Sequence, residues 1–343
     1  MLSFFSAILI AVSASSFPIL GAASNAWFPK IVSELKEISI YSFKEINGKV
    51  LAAAEEAKTT APQLASFMGL GDRLPENSDK PSAPVKIGQA PSFEFSGSSG
   101  ILVDARTNSP LFEKESQKQL PIASITKLMA ALVFLDHNSG WETVYEISAQ
   151  DKREGGRIYL FTGEKIKIKD LFYASLTASD NVATAALVKS TGLSEEEFVA
   201  AMNEKAIALG LKNTRFKDPI GLDNGDISTA EDIAMLAAIA FANTDISRAT
   251  LVKKYEFSTL GGRKKIVYST DGLLDIFPQN GVKILGGKTG YTEVAGYCFV
   301  GKFSDRDNHE MISVILGDAG DESRFRQTHD LVNLAYKNYQ WQN

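Results

Sequence analysis

Apolar and polar positions along the chain divide it near residue 96. Before that point, an apolar-to-small stretch runs from Leu2 to Pro29, and the first charged side chain is Lys30. Phe4 to Val12 reads as the apolar core of an export signal, and Ser24-Asn25-Ala26 as a small-x-small cleavage site. No Lys or Arg precedes that core, and roughly 20 apolar residues suffice to span a bilayer. Residues 1–26 are therefore expected to be a signal peptide or an uncleaved membrane anchor. Residues 32–65 have helical character, with Glu and Lys interleaved among Leu, Ile and Ala. Gly69 to Pro91 carries Pro75, Pro81, Pro84 and Pro91 among small and polar residues. Residues 27–95 thus read as a stem or an unstructured linker, and 96–343 as the compact domain.

Within that domain the periodicity alternates. Ile101–Asp104 and Leu111–Glu113 flank the turn signal Thr107-Asn108-Ser109-Pro110, predicting a β-hairpin. Leu128, Ala131, Leu132 and Leu135 recur at core-facing spacing, predicting a helix from near Ser124 to His137. Helices are predicted over Asp170–Leu176 and over Asn181–Thr191, the latter closed by Gly192. Ser194 with Glu197 forms a capping box opening a helix through Leu209, and Ser228 with Glu231 repeats the pattern before a helix ending near Asn243. Strand-like runs follow at Lys264–Tyr268, Val282–Thr289, Tyr297–Lys302 and Met311–Leu316, then an amphipathic helix over Glu322–Trp341. A hairpin, many helices, then strands and a last helix predict an α+β fold with an antiparallel sheet and segregated helices.

Composition narrows the function classes. Hydrophobic residues make up 44% and charged residues 22% of the 343, as in ordinary globular proteins. A net charge of -5 without a Lys/Arg-rich run gives no reason to expect nucleic acid. Cys298, the single cysteine, sits in an apolar run and reads as packed; no intrachain disulfide can form. His137, His309 and His329 are far apart in sequence, supporting neither a zinc spacing nor a Ser-His-Asp set.

Candidate chemistry lies in three short patterns: Ser124-Ile125-Thr126-Lys127, Ser179-Asp180-Asn181 and Lys288-Thr289-Gly290. Each is weak alone. Ser33-Glu34-Leu35-Lys36 also fits S-x-x-K, and a lone Ser-Asp-Asn is usually a helix cap. Together they supply an activatable serine, an amine base, a second hydroxyl and a carboxylate-binding strand, a trio shared by penicillin-binding proteins and class A β-lactamases. On a helix, Ser124 and Lys127 share a face, so Oγ and Nζ can meet. An unperturbed lysine has a pKa of about 10.4, and neutralising it at pH 7 costs roughly 4–5 kcal/mol. Burial, a helix N-terminus or a second cation lowers that pKa, and Lys288 is expected to be the second cation. Ser179 can relay a proton and Asn181 can hold a substrate carbonyl. Lys288 and Thr289 can attract the terminal carboxylate of an extended peptide paired to their strand, with Gly290 leaving room for its approach. Backbone N–H groups of Ser124 and Tyr291 are candidate oxyanion donors. Gly286-Gly287-Lys288-Thr289 echoes a P-loop ending, but Val282 stands where its first glycine should be.

Flanking segments extend the trio. Ala123-Ser124-Ile125-Thr126-Lys127-Leu128-Met129, the stretch from Met202 to Thr214, Gly221-Leu222-Asp223, Ser228 to Asp232, and Gly287 to Cys298 together resemble the D-alanyl-D-alanine carboxypeptidases. These are the low-molecular-mass penicillin-binding proteins of peptidase family S11. The resemblance implies a β-lactamase/transpeptidase-like fold, its antiparallel sheet flanked by helices with an all-helical subdomain. It implies hydrolysis of the terminal D-Ala of peptidoglycan stem peptides through an acyl-Ser124 intermediate. Lys127 would be the base and Ser179 the proton relay. Asn181, Lys288, Thr289, Gly290 and Tyr291 would bind the peptide, and β-lactams would acylate Ser124. No metal or organic cofactor is implied. The protein is expected to be exported to the cell envelope, with membrane contact only through its N-terminal segment, because the chain ends soon after its last helix.

Two departures stand out. Asp180 occupies the middle of the second motif in β-lactamase fashion, and Ser269-Thr270-Asp271-Gly272 stands where the family carries an asparagine-containing segment. A class A β-lactamase needs a deacylating glutamate, and Asn213 to Pro219 contains none. A D,D-endopeptidase of the same family uses the same residues, and a non-catalytic wall-binding module would not need the trio intact.

Overall fold

The computed structural model describes residues 81–88, 93–153 and 155–342. The expected leader, most of the expected stem and the Ser33–Lys36 pattern lie outside them. In chain order the strands are β1 (Val85–Lys86), β2 (Ser99–Asp104), β3 (Pro110–Lys114), β4 (Leu120–Pro121), β5 (Val144–Glu146), β6 (Lys165–Lys167), β7 (Ile227–Ser228), β8 (Lys254–Ser258), β9 (Lys264–Tyr268), β10 (Lys283–Thr292), β11 (Gly296–Ser304), β12 (Glu310–Asp318) and β13 (Tyr339–Gln340). The α-helices are α1 (Thr126–Asp136), α2 (Ile168–Thr177), α3 (Asn181–Ser190), α4 (Glu195–Ala208), α5 (Ala230–Ala242), α6 (Thr244–Thr250) and α7 (Asp321–Asn338).

Five strands form one antiparallel sheet in the order β10-β11-β12-β2-β3. Its faces are covered by different elements, which explains why β2 is buried along its whole length. Ile101 and Val103 face a core shared with α1 to α5, whereas Leu102 faces one shared with Leu331 and Val332 of α7. The helices α1 to α4 gather with α5 on one side, giving the α+β architecture with a helical subdomain that the sequence predicts.

Local chemistry fixes the helix starts. The Ser194 capping box is present, with Glu197 N–H donating to Ser194 Oγ at 3.1 Å and Ser194 N–H donating to the Glu197 carboxylate at 2.9 Å. The second expected box is displaced by one residue. Thr229, not Ser228, caps α5 by accepting from Asp232 N–H at 3.1 Å. Ser228 lies in β7, and its hydroxyl pairs with Thr214 at 2.7 Å instead.

Other boundaries also move. The last helix stops at Asn338, because Tyr339–Gln340 turns extended to pair with Val85–Lys86. The linker-like stretch therefore ends in a strand on the folded domain. The third motif does not close its strand: β10 runs on through Tyr291 and Thr292, paired to Tyr297 and Gly296. As an edge strand it borders the cleft that Ser124 lines.

Candidate active site

Ser124 sits in a 3-10 turn, Ala123–Ile125, immediately before α1. Its predecessor Ala123 has φ +47°, a left-handed conformation that an alanine adopts only under constraint. The constraint is close packing behind the turn. A Cβ on Gly221, itself at φ +90°, would lie 2.0 Å from Ala123 O, and one on Gly290 would lie 2.7 Å from Ile122 O. Two glycines thus let separate backbone segments press against the serine turn.

Lys127, the second residue of α1, is buried. Its Nζ lies 2.7 Å from Ser124 Oγ, 2.9 Å from Asn181 Oδ1 and 2.9 Å from Ile220 O. The amide oxygen and the carbonyl can only accept, whereas the hydroxyl can also donate. A neutral amine satisfies this set with two N–H donors and a lone pair facing the serine O–H. Burial brings the Lys127 pKa down to about 7, against the opposing charges of Asp218, Asp180 and Asp226.

The role expected of Lys288 is corrected here. Its pKa falls well below the usual range, first through burial and then through the charges of Lys127 and Arg324. Burial is what lowers Lys127, and the charges acting beside it are those of aspartates, which raise it. An arriving carboxylate would bring the Lys288 proton back.

The second motif splits its duties. Ser179 holds φ +56°, and its Oγ accepts from Lys288 Nζ at 2.8 Å. Asp180 is the N-cap of α3, accepting from Ala183 N–H at 2.7 Å, and burial pushes its carboxyl up to about 6. Asn181 reaches Lys127 through Oδ1 and Gly155 O through Nδ2, the latter at 3.3 Å. In the third motif, Lys288 also donates to Thr289 O at 2.9 Å, and the Thr289 hydroxyl pairs with that of Thr270 at 2.6 Å.

Ser124, Ser179, Asn181, Thr289, Gly290 and Tyr291 all line one cleft of about 610 Å³, and the two lysines lie buried against it. All eight residues singled out from sequence therefore converge. Three others escaped notice. Arg324 of α7 lines the cleft, donates to Gly290 O at 2.9 Å and Cys298 O at 3.1 Å, and pairs with Asp321. Asp218 accepts backbone N–H groups from Ile220 (2.5 Å), Gly221 (2.6 Å), Leu222 (2.8 Å) and Asp223, shaping the loop that aims Ile220 O at Lys127. Asp218-Pro219 ahead of Gly221 was the available signal. Arg157, also in the cleft, gave none.

Cys298 is wholly buried and its thiol is pushed up to about 11 by that burial, consistent with packing. Asp305, Asp307 and His309, near the β11–β12 turn, bring ligand atoms within 4.8 Å of one another, and none of the three lines the cleft.

A serine beside a buried amine, at the open edge of an antiparallel sheet backed by helices, defines the class of active-serine acyl-transfer proteins. The family model for D-alanyl-D-alanine carboxypeptidases, peptidase family S11, matches residues 85–320. The chain belongs to that family. It is 31% identical over 248 residues to the D-alanyl-D-alanine carboxypeptidase DacF of Bacillus subtilis, covering 71% of this chain and 62% of that one. It is 31% identical over 246 residues to a D-alanyl-D-alanine endopeptidase of Pseudomonas aeruginosa, covering 69% and 76%. Among solved structures, penicillin-binding protein D2 of Listeria monocytogenes, in its cefotaxime-bound form, is similar at 28% identity and a TM-score of 0.62, covering 72% of this chain and 99% of that one. The DD-transpeptidase of Streptomyces K15 shares the fold at 23% identity and a TM-score of 0.66, over 72% and 99%.

Proposed function

We propose that this protein is a serine-type D-Ala-D-Ala carboxypeptidase that removes the terminal D-Ala of peptidoglycan stem peptides and binds penicillin. The observation that carries this reading is the three-partner setting of Lys127, which fits a neutral amine ready to take the Ser124 proton. Ser124 Oγ attacks the carbonyl of the penultimate D-Ala while Lys127 accepts its proton. The oxyanion forms beside the Ser124 backbone N–H, which Gly290 approaches closely, and the Tyr291 N–H supplies the second donor. The proton taken up by Lys127 is delivered to the leaving amine through Ser179, itself bonded to Lys288, as the C–N bond breaks. Lys288, Thr289 and Arg324 hold the terminal carboxylate of the departing D-Ala. Water then hydrolyses the acyl-serine ester, and β-lactams acylate the same oxygen.

The stretch Asn213 to Pro219 offers no glutamate for β-lactamase deacylation, and both Asp218 oxygens are taken up by backbone N–H groups. This favours a peptidase. Endopeptidase action on D,D-crosslinks is the second reading, favoured by the equal identity to relatives of both names. The natural setting of the reaction is the cell envelope. Export proceeds through residues 1–26, cleaved or kept as an anchor, and the residues from 27 up to the strand at Val85 serve as a stem; among the described residues no helix is long and apolar enough to cross a membrane. D-Ala release from a pentapeptide, measured beside cleavage of a crosslinked dimer, tests both readings. Faster release from the pentapeptide is expected, and cleavage of the dimer alone would favour the endopeptidase.

A further inference from the structure

Arg157 lines the cleft, is exposed, and makes no hydrogen bond or ion pair among the described residues. The other cations at the cleft are engaged: Arg324 with Asp321, Lys288 with Ser179, and Lys127 with Ser124. A guanidinium is always charged and presents a planar fork of donors that matches a carboxylate.

The segment that carries Arg157 is tied on both sides. Gly155 O accepts from Asn181 Nδ2 at 3.3 Å. Tyr159 O accepts at 2.7 Å from Lys265 Nζ, which is itself buried and paired with Glu164 at 2.7 Å. Gly155 and Gly156, at φ +80° and +72°, make the turn between them. Arg157 therefore projects from an anchored wall.

Its side of the cleft follows from the contacts. Asn181 links the Arg157 wall to Lys127 and so to Ser124, while Gly290 links Ser124 to Arg324. Arg157 is thus tied to the serine through Asn181 and Arg324 through Gly290, and both line the same cleft. With the terminal carboxylate toward Thr289 and Arg324, the preceding residues of a peptide have the rest of the cleft to occupy, and Asn181 and the Arg157 wall line it. An extended chain advances about 3.3–3.6 Å per residue, so the residue before D-Ala-D-Ala starts within reach of a long side chain on that wall.

We infer that Arg157 is a specificity-determining residue that binds a free side-chain carboxylate on the stem-peptide residue immediately preceding D-Ala-D-Ala. The substrate class is then a stem peptide with a dicarboxylic diamino acid at that place, in preference to one whose side-chain carboxyl is amidated. This inference rests on the DD-peptidase reading and names the substrate for it.

The test uses two synthetic peptides ending in D-Ala-D-Ala that differ only in a side-chain carboxylate or carboxamide on the preceding residue. For each, kcat/KM for D-Ala release and the protection of Ser124 from fluorescent penicillin are measured. The full-length protein is expected to favour the carboxylate peptide roughly three- to tenfold, the range of a partly exposed charged contact. In Arg157→Ser that ratio falls to about one, and Arg157→Lys retains part of it. Equal treatment of the two peptides by the native protein, or a preference that survives in Arg157→Ser, overturns the inference alone. Neither release nor protection with any peptide overturns the DD-peptidase reading, and the inference with it.

Discussion

Lys127 Nζ lies 2.7 Å from Ser124 Oγ, and its two other partners, Asn181 Oδ1 and Ile220 O, are oxygens that can only accept. The pair therefore has one proton whose position is undetermined by the surroundings, the one between nitrogen and hydroxyl. Burial tips the balance by bringing Lys127 down to about 7, so that the amine gives up its proton near neutral pH.

The pH dependence of acylation follows directly. Only neutral Lys127 accepts the Ser124 proton, so the rate should rise about tenfold per pH unit below 7 and level off above it. Stopped-flow acylation by a chromogenic cephalosporin from pH 5 to 9 measures this. A flat profile would remove Lys127 from the role of base.

A second prediction concerns the packing behind the serine. Gly221→Ala places a Cβ 2.0 Å from Ala123 O at a residue with φ +90°. Loop or turn must shift, and a loss of about 3 kcal/mol or more is expected. Urea unfolding reads the stability, and a parallel fall in acylation would register the displaced Ser124.

Asp226 gives a pH-dependent stability effect. Burial, with the charge of Asp218, pushes its carboxyl up to about 7, while its Oδ1 accepts from Lys217 N–H at 2.5 Å and Asp218 N–H at 3.1 Å. Between its unfolded value near 4 and about 7, the folded state binds the extra proton, so ionisation costs stability as pH rises through that window. Asp226→Asn keeps the accepting oxygen and has no charge to ionise. The variant should gain on the native protein as pH rises from 4 to 7, then hold that gain. Thermal unfolding across this range checks the sign, and a gain that shrinks would contradict it.

Ser194→Ala separates stability from activity. Removing the capping hydroxyl of α4 should cost about 1 kcal/mol in denaturant unfolding. The acylation rate should not change, because the cap lies outside the cleft lining.

These residues also show what the sequence made readable. The Ser194 box, and the pairing of Ser124 with Lys127, depend on spacings of three along one helix or its approach, and such spacings are visible in the chain. Thr229 and Ser228 are both hydroxyl residues, and the choice between them was made by Thr214, which captures Ser228 from another segment. The C-terminal helix looked longer than it is because Tyr339 and Trp341 continue its apolar stripe, while Tyr339–Gln340 leaves the helix to pair with Val85–Lys86. Arg324 and Asp218 reach the site only through the tertiary fold, as α7 packs beside β11 and the 218–223 turn closes over Lys127. The lowered pKa of Lys127 comes from burial, which no local motif displays, and not from the charge of Lys288.

The most direct measurement is labelling of the purified protein with fluorescent penicillin, beside Ser124→Ala, with the labelled peptide located by mass spectrometry. The native protein is expected to carry one adduct on Ser124, and the variant, folded to the same extent by circular dichroism, none. Labelling of Ser124→Ala, or an unlabelled native protein, would contradict the assignment of Ser124 as nucleophile.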